Sequence, residues 1–228
     1  MGEIVKEAKK VRSIPIVETY SNCLNRYQEI LFKLYQYFFG VEEFIVRNIN
    51  ELYEKIEKFE KELNIKVPHN TYIIVASLYE KLVEKISWKN IKDIIYCFNS
   101  SIKIYHKILG VETDKKQKSR ILMEKGNVHL KFAQYKSKKE NLIEAIKAYE
   151  EALRIRTFYR FSIDYAMIQN NLGTAYRMLA EVECKSENCN KAIKAYKKAL
   201  KVFSREEFPE FYLLIECNLE KTFIFCRD

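Results

Sequence analysis

Ala145-Ile-Lys-Ala-Tyr-Glu-Glu-Ala-Leu153 returns as Ala192-Ile-Lys-Ala-Tyr-Lys-Lys-Ala-Leu200, identical at seven of nine positions and 47 residues further on. Self-similarity at a fixed period is the mark of a repeat architecture. Other residues fall in the same register: Gly126 with Gly173, His129 with Tyr176, and Phe161 with Phe208. One period later Asn171-Leu172 returns as Asn218-Leu219, Tyr165 as Tyr212 and Tyr176 as Phe223. Within each phrase the small and aromatic residues recur at helical spacing. Ala145, Ala148, Tyr149, Ala152 and Leu153 share one stripe, with Lys and Glu on the opposite side. Alanines let two helix axes come close, and the tyrosine between them is a knob for the neighbouring groove. The upstream partner helices carry Lys125-Gly-Asn-Val-His129 and Asn171-Leu-Gly-Thr-Ala-Tyr176. A glycine inside a helix costs about 1 kcal/mol against alanine, so it marks close packing or tolerance.

These residues resemble the tetratricopeptide (TPR) family, with a small residue and an aromatic in the first helix and Ala-x3-aromatic-x2-Ala-Leu in the second. The resemblance covers about 70–226 and is strongest over 118–226. The period departs from the usual 34 residues and is similar to the longer repeats of kinesin light chains. It implies an all-α fold: a right-handed α-solenoid of antiparallel helix pairs, with an N-terminal helical hairpin and a C-terminal capping helix. The pairs fall at about 71–109, 118–157 and 162–204, and the cap at 209–226.

Residues 1–67 read as the separate helical hairpin. Helix 17–39 is apolar on nearly every face, and Gly40 is its C-cap. Helix 41–64 carries a heptad stripe at Ile45, Ile49, Leu52, Ile56, Phe59 and Leu63, which packs back on the first helix or, as the alternative, forms a homodimer seam. The boundary falls at Lys66-Val-Pro68-His-Asn70, where proline disfavours a helical residue before it and Asn70 can cap the next helix. Further on, Asn141 and Glu144 read as a capping box opening helix 142–157, Gly110 ends helix 90–109, and Pro209 starts the last helix.

Of the net charge of +9, +8 lies in residues 101–160, with fifteen basic and seven acidic side chains. Such a segment either solvates loops or steers anionic partners. The six cysteines (23, 97, 184, 189, 217 and 226) form no Cys-x2-Cys pair and read as buried free thiols of an intracellular protein. Cys184-x4-Cys189 is the alternative, a metal or redox pair. No secretory leader, myristoylation pattern or bilayer-length apolar run is visible, which points to a cytoplasmic protein without a membrane span. The sequence carries no glycine-rich phosphate loop, no His-Glu-x2-His and no nucleophile elbow. His129 sits at a packing position. We therefore expect no enzyme and no cofactor.

The expected function is a protein–protein interaction scaffold that binds a protein or peptide. The resemblance implies that the first helices line a concave groove. Counting from the repeat glycine, the second pair offers Met123, Glu124, Asn127 and Lys131, and the third Asn170, Asn171, Thr174 and Met178, with Arg177 at the rim. The cap helix offers Cys217, Asn218, Lys221 and Phe225. Amides can serve both the N–H and the C=O of an extended chain, and Met and Phe accept an apolar anchor. The other use of Asn171 and Asn218 is to bridge helices within the stack. The family's carboxylate clamp for chaperone tails matches only at Asn127 and Asn171; Met123, Leu214 and Asn218 stand where its cations belong, so no such tail should bind. The competing function is RNA binding through the basic 101–160 segment and its tyrosines.

Overall fold

The computed structural model describes residues 53–54, 57–58, 69–84 and 91–227. The expected hairpin over 1–67 and its 45–63 stripe lie outside the described residues, apart from those four positions. The chain divides between Ser87 and Trp88 into two units. In the first, α1 (His69–Val83) buries Tyr72, Val75, Ala76, Tyr79 and Val83, one stripe of a helix.

The second unit holds α2 (Ile91–Leu109), α3 (Lys115–Phe132), α4 (Lys138–Leu153), α5 (Ser162–Ala180), α6 (Lys185–Leu200) and α7 (Pro209–Arg227). Every described element is helical, and neighbouring helices pack in pairs, as in an α-solenoid. Each second helix lies between two first helices, α4 between α3 and α5 and α6 between α5 and α7, while α3, α5 and α7 touch in succession. One core gathers Leu122, the stripe of α4 and Ile168, Leu172, Ala175 and Leu179 of α5. A second joins Ala166, the stripe of α6, Phe203 and Ile215. On α2, Phe98 stacks on Phe132 with ring centroids 4.9 Å apart. Cys97 is fully buried beside it, and burial pushes its thiol up to about 12, so it behaves as a small apolar side chain.

The repeat glycines are there for close packing. A Cβ on Gly126 would lie 2.5 Å from the ring of Tyr149, and one on Gly173 would lie 2.8 Å from the ring of Tyr196. Both rings are fully buried. Each is also tethered at its far end. The Tyr149 hydroxyl donates to Asn127 Oδ1 at 2.7 Å. Thr174 gives its own proton to the Asn170 carbonyl (3.2 Å), so Tyr196 is the donor in its 3.0 Å bond to Thr174 Oγ1. The residue after each glycine thus holds the tyrosine in place.

The second helices open on a left-handed residue rather than on an asparagine cap. Asn141 does not cap: α4 begins three residues earlier, behind Ser137 in the left-handed region with φ 46°. Cys184, one period on, has the same φ before α6. Such a conformation costs a non-glycine residue about 1–2 kcal/mol. It is offset by the buried asparagine four residues later. Asn141 Nδ2 reaches back to the Lys136 carbonyl at 2.9 Å, and Asn188 Nδ2 to the Glu183 carbonyl at 2.8 Å.

The reading of six free thiols is corrected for two of them. Cys189 on α6 and Cys226 near the end of α7 form a disulfide across 37 residues, which removes Cys189 from any pair with Cys184. The bond ties the last helix to the stack. Closing a loop of that length removes roughly 4 kcal/mol of unfolded-chain entropy. Cys97, Cys184 and Cys217 are free.

His129 is 6% exposed. Asn141 uses its amide N–H groups on the Lys136 and Ser137 carbonyls, so its Oδ1 must accept from His129 Nδ1 at 2.8 Å. The proton therefore sits on Nδ1, and buried Nε2 has no hydrogen-bond partner. Burial, with Lys125 on the same helix and His106 facing it from α2, holds the ring below its usual range, against the pull of Asn141 and of Glu144 on α4.

Two outcomes follow from this packing. Gly126→Ala or Gly173→Ala should lose up to about 2 kcal/mol in urea unfolding, because overpacking (about 1–3 kcal/mol) outweighs the helix-propensity gain of about 1 kcal/mol. Gly110→Ala, whose added Cβ would sit 3.5 Å from its nearest neighbour, should lose nothing. The second outcome concerns acid. A ring whose folded pKa is depressed stays neutral when folded, while the unfolded ring takes a proton near pH 6.5. His129 therefore contributes full stability above about pH 6.5 and loses it as the pH falls towards the folded pKa. The melting temperature should drop from pH 7 to pH 5, and His129→Leu, less stable at neutral pH, should show a flatter profile over that range. Equal slopes in the two proteins would exclude the assignment.

Candidate functional site

The first helices stand side by side, and the residues singled out from the sequence meet along their contact. Asn171 Nδ2 on α5 donates to Asn127 Oδ1 on α3 at 2.9 Å. Asn170 Nδ2 donates to Asn171 Oδ1 at 3.2 Å. Asn218 Nδ2 on α7 reaches Asn170 Oδ1 at 3.5 Å, the outer limit of such a bond. Four amides thus form a ladder across three helices, Asn218 to Asn170 to Asn171 to Asn127. It runs into the tethered Tyr149 hydroxyl.

The ladder comes from register. Residues 47 apart are equivalent, but Asn127 and Asn171 are 44 apart and Asn170 and Asn218 are 48 apart. Adjacent first helices are offset so that the amide two residues before the glycine on α5 meets the amide just after the glycine on α3. The alternative use of Asn171 and Asn218, bridging helices within the stack, is the one these bonds show, with Asn127 and Asn170 as the partners. The signal was available in those two separations.

Counting donors and acceptors shows what the face has left to offer. The Oδ1 of Asn127 takes Tyr149 and Asn171, and its Nδ2 gives one hydrogen to Glu124 Oε2 at 3.1 Å, leaving one N–H. Thr174 is spent on Asn170 and Tyr196. Arg177 pairs with Glu181 at 2.9 Å. Met123, Met178 and the four asparagines are half-buried, while Lys131, Cys217 and Lys221 are exposed. Lys185 Nζ lies 4.8 Å from the centroid of the Phe225 ring. The face is a rail of partly satisfied amides between sulfur and methylene surfaces, with lysines at its edge. Among the described residues no group of three His, Cys, Asp or Glu side chains could hold a metal ion, and no helix is long and apolar enough to cross a membrane.

Asn127→Ala strips the Tyr149 hydroxyl of this acceptor and Asn171 of its partner. An unmet part-buried donor costs about 1–3 kcal/mol. The melting temperature should fall by several degrees, and Asn127→Asp, which keeps an acceptor, should recover part of it. An unchanged melting temperature would mean that water replaces the ladder at no cost. Set beside known proteins, the chain matches no family model and no curated sequence, so the description of this face rests on its own residues.

Proposed function

We propose that the chain is a non-catalytic interaction scaffold of the TPR-like, right-handed solenoid kind, and that the row of first helices receives a protein or peptide segment. The observation that carries this reading is the amide rail. It presents unspent N–H groups at Asn127 and Asn218 beside Met123 and Lys131, on three helices that touch in succession. An extended chain supplies carbonyls to such N–H groups whatever its side chains, and an apolar side chain can seat on the methionines. Because the amides also brace the stack, the face is preorganised and little ordering entropy is lost on binding. A cytoplasmic place suits the three free thiols among the described residues, with the Cys189–Cys226 bond as its exception.

A displayed library of random peptides selected on the full chain gives the test. Selected peptides should slow amide hydrogen exchange in α3, α5 and α7 around residues 123–131, 170–177 and 218–221. Their binding should weaken with Lys131→Glu and Lys221→Glu together, two exposed substitutions outside the ladder. Protection confined to α4 and α6, or no enriched peptide, would end the proposal.

A further inference from the structure

The α4–α5 turn and the first turn of α3 meet at a surface that the scaffold reading does not use. Backbone bonds from Arg160 and Phe161 to the Thr157 carbonyl (3.2 and 3.0 Å) lift Phe158 and Tyr159 to the tip of the turn. Phe158 is braced edge-on against Tyr165, centroids 5.9 Å apart. Tyr159 stands on it edge-on at 5.3 Å and is 93% exposed. A ring that open contributes almost nothing to packing.

Beside it lies a cavity of about 660 Å³, rimmed by Lys115, Lys116, Lys118, Arg154 and Arg160. Ile155 and Phe161 give it apolar walls. Its two carboxylates are engaged: Asp114 caps Gln117 N at 2.7 Å, and Glu151 lies 3.8 Å from Lys118. Among the described residues Lys115, Lys116, Arg154 and Arg160 have no carboxylate partner. A smaller cavity of about 380 Å³ adjoins at Lys116 and continues the positive surface through Arg120. Converging unpaired cations repel one another and return nothing to the fold.

The next repeat shows that the turn does not require Arg160 or its rings. One period on, the backbone bonds repeat: Phe208 N to the Ser204 carbonyl matches Phe161 N to the Thr157 carbonyl, and Phe203 N to Ala199 matches Arg156 N to Ala152. Yet the places of Phe158, Tyr159 and Arg160 are taken by Arg205, Glu206 and Glu207. The same turn forms with opposite charge and no ring.

We infer that this surface binds single-stranded nucleic acid, with phosphates on Lys115, Lys116, Arg154 and Arg160 and an unpaired base stacked on Tyr159. Exposed cations supply sequence-independent phosphate contacts, and every base has a face that stacks on an aromatic ring. An acidic protein would satisfy the cations but has no need of the projecting ring. A duplex keeps its bases stacked on one another and out of reach of Tyr159.

The test is fluorescence anisotropy of the full chain with a labelled twelve-residue oligouridine, from 50 to 300 mM KCl. Four phosphate contacts should give a log–log salt slope of about −3. Tyr159→Ala, at an exposed site where the fold is not at risk, should weaken binding roughly tenfold and leave the slope unchanged. Arg154→Glu with Arg160→Glu should flatten the slope and remove most binding, with an unchanged circular dichroism spectrum. The inference is overturned by no binding at 50 mM KCl, by a Tyr159→Ala protein that binds like the parent, or by a duplex of equal length competing as well as the single strand. Displacement by polyglutamate of equal charge, at the concentration at which unlabelled oligouridine displaces, would overturn it too and point to an acidic protein.

Discussion

The two helix pairs from α3 to α6 are each spaced by one contact, the edge of a tyrosine ring against the bare backbone of a glycine. Gly126 with Tyr149 and Gly173 with Tyr196 bring two helices closer than any side chain on the first helix would allow. The flanking alanines of the second helix are then required rather than merely tolerated, because larger side chains would hold the axes apart. The tyrosine cannot swing aside, since its hydroxyl is held by the residue after the glycine. In one repeat that residue is threonine and in the other asparagine. Asparagine Oδ1 has a second lone pair, and it is this that takes Asn171 and continues into the ladder towards α5 and α7. The candidate binding face is therefore an extension of the packing rule.

Where the rule does not reach, the repeats diverge and find different solutions to the same problem. Behind α4, Arg156 is 7% exposed, bonded to Ser119 Oγ at 2.8 Å and to the Lys116 carbonyl at 3.2 Å, paired with Asp164 and lying over Phe161. One period later the three places are Phe203, Phe208 and Phe211, a cluster with centroids 5.3 and 4.7 Å apart. A buried guanidinium needs each of its partners, whereas an aromatic cluster needs only shape. His129 and Tyr176, also one period apart, diverge in their partners: His129 bonds to Asn141, and the Tyr176 hydroxyl donates to Glu150 at 2.7 Å.

The sequence was readable where one residue type answers to one physical demand. The doubled phrase fixed the period, the stripe fixed the buried face of α4 and α6, and Pro209 marked the first residue of α7. Three features escaped for definite reasons. Asn141 looks like a helix cap, but its side chain serves carbonyls behind it in a turn opened by a left-handed serine, and no residue preference announces φ 46° at serine or cysteine. Cys189 and Cys226 are separated by a whole helix and turn, so their meeting depends on how α7 lies on α6. The amides were placed on the right helices, and bridging within the stack was open for Asn171 and Asn218, but residue-by-residue register hides which amide each of them meets.

The two surfaces differ because they stand in different relation to the glycine–tyrosine contact. Residues on the first helices sit within a turn of it, so their chemistry is confined to small polar groups that fit between helices, and any charge there must be balanced, as Arg177 is by Glu181. Turn residues are free of that spacing, as shown by the same backbone carrying Phe-Tyr-Arg in one repeat and Arg-Glu-Glu in the next. Charge and exposed aromatics can collect at the turns without disturbing the stack. That is why the segment holding most of the net charge coincides with one of the most regular parts of the fold. A neutral, braced rail along the helices and a cationic, ring-tipped end are compatible in one molecule because only the first is bound by the packing rule.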